Sequence, residues 1–135
     1  MMKNINSILK FNNYIVNEIN FRNNERFIQK DDGTSIKLNI IPEIKIDKKN
    51  MDIVLEVEVF KDAEENNYPF EITMSVTGKF ECEGEEPEKF IKNAIAILYP
   101  YIRAIVSTYT ASANVNALIL PAINVNKLIE DNKEN

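Results

Sequence analysis

The sequence predicts an α+β fold, strands first and helices after. Over Met51 to Phe60 and again over Phe70 to Phe80 apolar and polar residues alternate with a period of two, whereas beyond Gly84 apolar residues recur every three or four positions. Size agrees: 135 residues, 44% of them hydrophobic, suffice for one core, and no repeat or linker divides them. One domain over residues 1–135 is expected, with residues 1–10 and 131–135 as flexible ends.

In chain order, the first strand signal runs from Tyr14 to Phe21, where Ile15, Ile19 and Phe21 share one parity. Gly33 marks a turn, and Ser35 to Ile46 gives a second extended segment with Ile36, Leu38, Ile40, Ile44 and Ile46 on one parity and Pro42 as an interruption. Met51 to Phe60 sets Ile53, Leu55, Val57 and Val59 against Asp52, Glu56 and Glu58. Phe70, Ile72, Met74, Val76 and Phe80 alternate in the same way with Glu71, Thr73, Ser75, Thr77 and Lys79. The link 61–69 is polar and contains Pro69, so these last two strands read as an antiparallel hairpin. Gly78 stands alone in a strand pattern, which reads as a bulge or a point of close packing and not as a phosphate loop.

Phe90, Ala94, Leu98, Ile102, Ile105 and Tyr109 then recur at helical spacing. Pro87 suits the first turn of a short helix. Pro100 lacks an N–H and crowds the preceding turn, so it is expected to open a second helix, from about Tyr99 to about Ala111. Asn124 reads as the N-cap of a terminal helix carrying Val125, Leu128 and Ile129, with the charged tail from Glu130 fraying. Strands followed by helices place the helices on one face of a single antiparallel sheet.

Composition narrows function by exclusion. With 21 acidic and 16 basic residues the net charge is -5, which disfavours nucleic acid, because its binders need a positive stripe. There is no His, the commonest general base and metal ligand. The single Cys82 permits neither an intramolecular disulfide nor a thiolate cluster, and fits a reducing compartment. Standing among Glu81, Glu83, Glu85 and Glu86, it should be a poor nucleophile. The same glutamates lack the spaced oxygen ligands and central Gly of a calcium loop, and read as a solvated loop ahead of a helix. No catalytic residue, cofactor or metal is expected. Met1 to Lys10 lacks the apolar core of a secretory signal, and no apolar run of membrane-spanning length is read, so a soluble cytoplasmic protein is expected.

Four stretches, in this order, carry a resemblance to a known family. They are Glu18-Ile19-Asn20-Phe21; Phe27-Ile28-Gln29-Lys30-Asp31 running into Ser35-Ile36-Lys37-Leu38-Asn39-Ile40; Val76-Thr77-Gly78-Lys79-Phe80; and Leu98-Tyr99-Pro100-Tyr101-Ile102-Arg103 followed by Asn116-Ala117-Leu118-Ile119-Leu120-Pro121. Over roughly Phe11 to Asp131 the chain resembles the SecB export chaperones. The resemblance implies a four-stranded antiparallel sheet with helices on one side, assembled as a homo-oligomer, a dimer of dimers, through the long helices. It implies an ATP-independent holdase for unfolded polypeptides or preproteins, which are delivered to SecA without membrane insertion of the chaperone. SecB-like proteins also serve toxin–antitoxin modules, so an antitoxin is the alternative partner.

The resemblance also assigns residues. Ile36, Leu38 and Ile40 admit two readings, core strand or client groove, and the likeness favours the groove, with Val125, Leu128 and Ile129 as its other wall. Ile102, Ile105 and Tyr109 are the expected oligomer interface. Glu18, Glu56, Glu58 and Glu71 share the outward parity, so the uncovered sheet face is expected to be acidic, either for solubility or to dock a basic partner. Glu18, Glu71 and Thr73 are the expected SecA docking face. The chain departs from the family at Asp32, where a Trp is common, and at Arg22 and Thr73, where acids are expected.

Overall fold

The computed structural model describes residues 8–30, 33, 35–84, 86–113 and 115–134. Asp32, Glu85 and the first seven residues of the expected flexible N-terminal end lie outside them. Four strands, β1 (Ile8–Asn23), β2 (Leu38–Asp47), β3 (Asn50–Val59) and β4 (Phe70–Glu83), form one sheet in the order β1-β4-β3-β2, every neighbouring pair antiparallel. β3 and β4 are the expected hairpin, and their link holds the one-turn helix α1 (Ala63–Asn66). A 3-10 turn, Pro87–Phe90, leads into α2 (Ile91–Ser112), and α3 (Val125–Glu134) ends the chain.

Alternation makes the sheet one-sided. Met51, Ile53, Leu55, Val57 and Val59 of β3 and Ile72, Met74, Val76 and Phe80 of β4 are buried on the face that α2 covers. Ala94, Ile95, Leu98, Ile102 and Val106 supply the helix side of that core. Gly78 marks the closest approach, since a Cβ there would lie 2.9 Å from Phe80 Cε1 and 3.0 Å from Leu98 Cδ2. Close packing is thus its role.

Five expectations are corrected. β1 begins at Ile8, because Leu9 and Phe11 pair opposite Cys82 and Phe80 and pack half-buried against the core, so Ile8–Lys10 are strand and not a loose end. β1 also carries register shifts between Phe11 and Asn13 and between Val16 and Glu18. Each extra residue flips the parity, so Tyr14 and Val16, not Ile15, share the helix-side face with Ile19 and Phe21. Pro42 does not interrupt β2: it lies inside the strand, which is an edge where one row of N–H groups has no strand partner among the described residues. At the other end α3 runs on to Glu134, past the expected fraying at Glu130 and into the end expected to be flexible.

Pro100 is the fifth. It lies within α2 and starts no new helix. Both Pro100 and Ala96, whose carbonyl loses its donor, are exposed, so water can meet the bare oxygen. The turn and helix together, Pro87–Ser112, span 26 residues and are long and apolar enough to cross a membrane by length and composition, where the sequence reading found no such run. The inner side of this helix is occupied by the sheet.

Candidate functional site

The site is built from α2 outward. Tyr99, Arg103, Ser107 and Thr110 are spaced four, four and three apart, which sets them along one side of the helix. The Tyr99 hydroxyl donates to the Pro121 carbonyl at 2.5 Å, Arg103 Nε to the Leu120 carbonyl at 3.0 Å, and Ser107 Oγ to the Leu118 carbonyl at 2.8 Å. The Leu118 N–H in turn donates to Thr110 Oγ1 at 2.9 Å. Between these bonds Leu120 is fully buried. The segment 118–121 is therefore strapped to α2 by side chains that satisfy its backbone, and the strap delivers the chain to α3.

Asn124 caps α3 as expected, its Oδ1 accepting from the Lys127 N–H at 3.0 Å. Ile123, the residue before the cap, and Leu128, at the fourth helical position, occupy hydrophobic-staple positions. Both line a groove of about 430 Å³ whose other wall is β2, through Leu38, Ile40, Ile41 and Pro42. A second depression of about 400 Å³ shares Leu38 and Asn39 with the first and continues to Ile36 and Tyr68. The two form one strip along β2.

The structure thus brings Leu38, Ile40 and Leu128 together. Ile40 is nearly buried, and Ile36 lies in the second depression. Val125 and Ile129 pack half-buried against the core and line neither depression. Ile41, Pro42, Tyr68 and Ile123 were missed. Only Ile123 had a sequence signal, its place just before the cap.

Of the expected oligomer residues, Ile102 is fully buried within the chain's own core and has no surface to offer a partner. Ile105 is half-buried and Tyr109 exposed. Nearby, Tyr101 is exposed and its ring lies 4.9 Å from that of Tyr14 and 5.4 Å from that of Phe11, joining α2 to the β1 edge.

Glu18, Glu71 and Thr73 lie on the uncovered face, where β1 and β4 set Glu18 opposite Ser75, Asn20 opposite Thr73 and Arg22 opposite Glu71. Glu18 is exposed and accepts from Asn20 Nδ2 at 2.7 Å. Glu71 is engaged within the fold: its Oε1 accepts from the N–H groups of Asp62 at 2.7 Å and Ala63 at 3.3 Å, satisfying the start of α1. Arg22 and the Lys79–Asp52 pair, at 3.0 Å, break up the acidity expected of this face. Lys61 leans on Glu58 at 3.2 Å, and that hydrogen bond and charge hold its ammonium above the usual lysine range. Cys82 points into the core, so burial, and then Glu88, pushes its thiol up; its flanking glutamates face the other way.

The model of the family of preprotein translocase subunit SecB matches residues 6–135. An uncharacterized protein of Methanocaldococcus jannaschii is 37% identical over 124 residues, covering 87% of this chain and 79% of its own. Among solved structures, a Mycobacterium tuberculosis SecB-like chaperone in complex with an antitoxin peptide superposes with a TM-score of 0.63 at 17% identity, over 85% of this chain and 90% of that one. A protein of unknown function from Streptococcus agalactiae gives 0.51 at 15% identity, over 86% and 98%.

Proposed function

This chain belongs to the SecB family, and from that premise we propose that it is a non-catalytic, ATP-independent chaperone of the cytoplasm, a single domain that holds unfolded polypeptides or preproteins in the groove between β2 and α3. One observation carries the reading: Leu38, Ile40 and Leu128, apolar side chains of two different elements, line a groove that the folded chain leaves open. A holdase needs several weak contacts, since it must later surrender its client. Each anchor is worth about 1.5–3 kcal/mol before the client's ordering is charged against it. In a dimer of dimers a second groove engages at roughly millimolar effective concentration, which raises avidity by about 10² to 10⁴ without a new kind of contact.

For export, delivery to SecA would use Glu18 and its neighbours on the uncovered face. A second reading, a dedicated chaperone of a toxin–antitoxin module, is favoured by the antitoxin peptide held by the Mycobacterium tuberculosis neighbour. The two differ in selectivity, because a dedicated chaperone binds one peptide tightly and protects generic unfolded proteins poorly.

The test is suppression of aggregation of a reduced, unfolded substrate by wild type and by Leu38→Asp with Leu128→Asp. The double variant should lose suppression with an unchanged circular dichroism spectrum. Retained suppression would sink the groove assignment, and loss of fold would mark both residues as core.

A further inference from the structure

Resting on the chaperone reading, we infer that a bound client segment lies against the free edge of β2 as a short fifth strand, which Pro42 terminates. The register decides which backbone groups are on offer. The Phe60 N–H donates to the Lys37 carbonyl at 2.8 Å, and β2 pairs with β3 without a shift from Leu38 opposite Val59 to Asp47 opposite Asn50. In an antiparallel ladder alternate residues exchange bonds with the partner, so Lys37, Asn39 and Ile41 turn their backbone groups to β3. Leu38, Ile40, Pro42, Ile44 and Ile46 turn theirs outward, where the sheet has no further strand among the described residues. Pro42 has no N–H, so the continuous row of outward donors reaching from Leu38 stops at Ile40. These are the residues whose side chains line the groove.

The opposite edge is less suited. β1 carries two register shifts, and such bulges bend a strand away from regular pairing. Among the described residues only β2 joins a regular free edge to an apolar groove.

Charge narrows the occupant. The chain carries a net -5, yet the rim of the strip sets Lys37, Lys61 and Lys127 against Glu58 and Asp131. Glu58 is already taken up by Lys61 at 3.2 Å and Asn39 at 2.8 Å. Lys37 and Lys127 make no ion pair among the described residues. The complementary occupant is an extended peptide with aliphatic residues at alternate positions and an acidic end beside Lys37.

The probe is a synthetic peptide of about eight residues, the length of an ordinary strand, alternating Leu with Thr and ending in Asp. Two further versions carry N-methyl groups on one or the other set of alternate amides. Binding to the intact protein is followed by fluorescence anisotropy, beside the aggregation assay. One methylated version should bind more than about tenfold more weakly and the other almost normally, since only one set of amides meets the edge. Replacing the Asp with Lys should weaken binding. Pro42→Val, which restores an edge donor, should strengthen binding about three- to tenfold. Equal binding of the two methylated versions, or no binding of the parent peptide, with suppression intact overturns strand addition and leaves the chaperone reading standing. Loss of both peptide binding and suppression in wild type overturns both.

Discussion

The Tyr99 hydroxyl donates to the Pro121 carbonyl at 2.5 Å, across 22 positions of sequence. This bond physically joins the two halves of the most specific family-like stretch. Phenylalanine at position 99 would leave that carbonyl without its donor, so Tyr99→Phe should cost about 1–3 kcal/mol in chemical denaturation. Because the strap positions α3, client binding should fall as well, in an aggregation assay run well below the unfolding midpoint.

The same bond predicts an alkaline limit. Burial pushes the Tyr99 phenol above its ordinary value of 10.0, with Arg103 pulling the other way, and burial raises the Cys82 thiol above 9.0. Both groups are neutral when protonated, so their contribution to stability is complete below those ordinary values and is lost as pH rises through the higher folded-state ones. Melting temperature should therefore fall from about pH 9 upward. Tyr99→Phe should remove the later part of the fall, and Cys82→Ala the earlier part; an unchanged profile in both variants would refute the assignment.

Gly78 should tolerate nothing larger. A Cβ there meets Phe80 Cε1 and Leu98 Cδ2 at 2.9 and 3.0 Å, and Leu98 lies in the core of α2. Gly78→Ala is expected to destabilise by about 1–3 kcal/mol through overpacking, and Gly78→Val by more. Denaturant midpoints measure both.

Much of this was legible in the sequence because it depends on local period or cap chemistry. Alternation gave β3 and β4, and a single side-chain oxygen gave the start of α3 at Asn124. What escaped depends on partners distant in sequence. The bulges of β1 are defined only against β4, and they moved Ile15 to the uncovered face. Pro100 was misread because its tolerance rests on the exposure of Ala96, which only packing decides. Ile102 has the same helical spacing whether it faces the sheet or a partner chain, and the pattern cannot tell those sides apart. Of the residues expected to line the groove, Leu38, Ile40 and Leu128 line the depression between β2 and α3, whereas Val125 and Ile129 of the same short helix do not.

Partner docking is best tested at Glu18. Glu71 already satisfies two N–H groups at the start of α1, so changing it alters the fold together with the surface. Glu18 is exposed, and among the described residues its side chain bonds only to its neighbour Asn20. Glu18→Lys should leave stability within about 0.5 kcal/mol and spare client holding, while weakening association with purified SecA in a salt-dependent manner. Unaltered motor affinity would remove Glu18 from the docking face.

The assembly surface separates into two outcomes. Ile102→Ala empties a fully buried site and should cost about 2–5 kcal/mol of stability, with no selective change in the light-scattering mass of the folded fraction. Tyr101 and Tyr109 are exposed on α2, and the Tyr101 ring is already packed against Tyr14 of β1 at 4.9 Å. We propose this apolar strip along helix and edge strand as a contact surface between copies of the chain. Tyr101→Glu with Tyr109→Glu should therefore bring the scattering mass down to that of one chain, with the circular dichroism spectrum retained. It should also weaken holding of long unfolded clients about 10²-fold or more, while a short peptide confined to one groove binds as before. If the double variant keeps the wild-type mass, copies of this chain meet elsewhere.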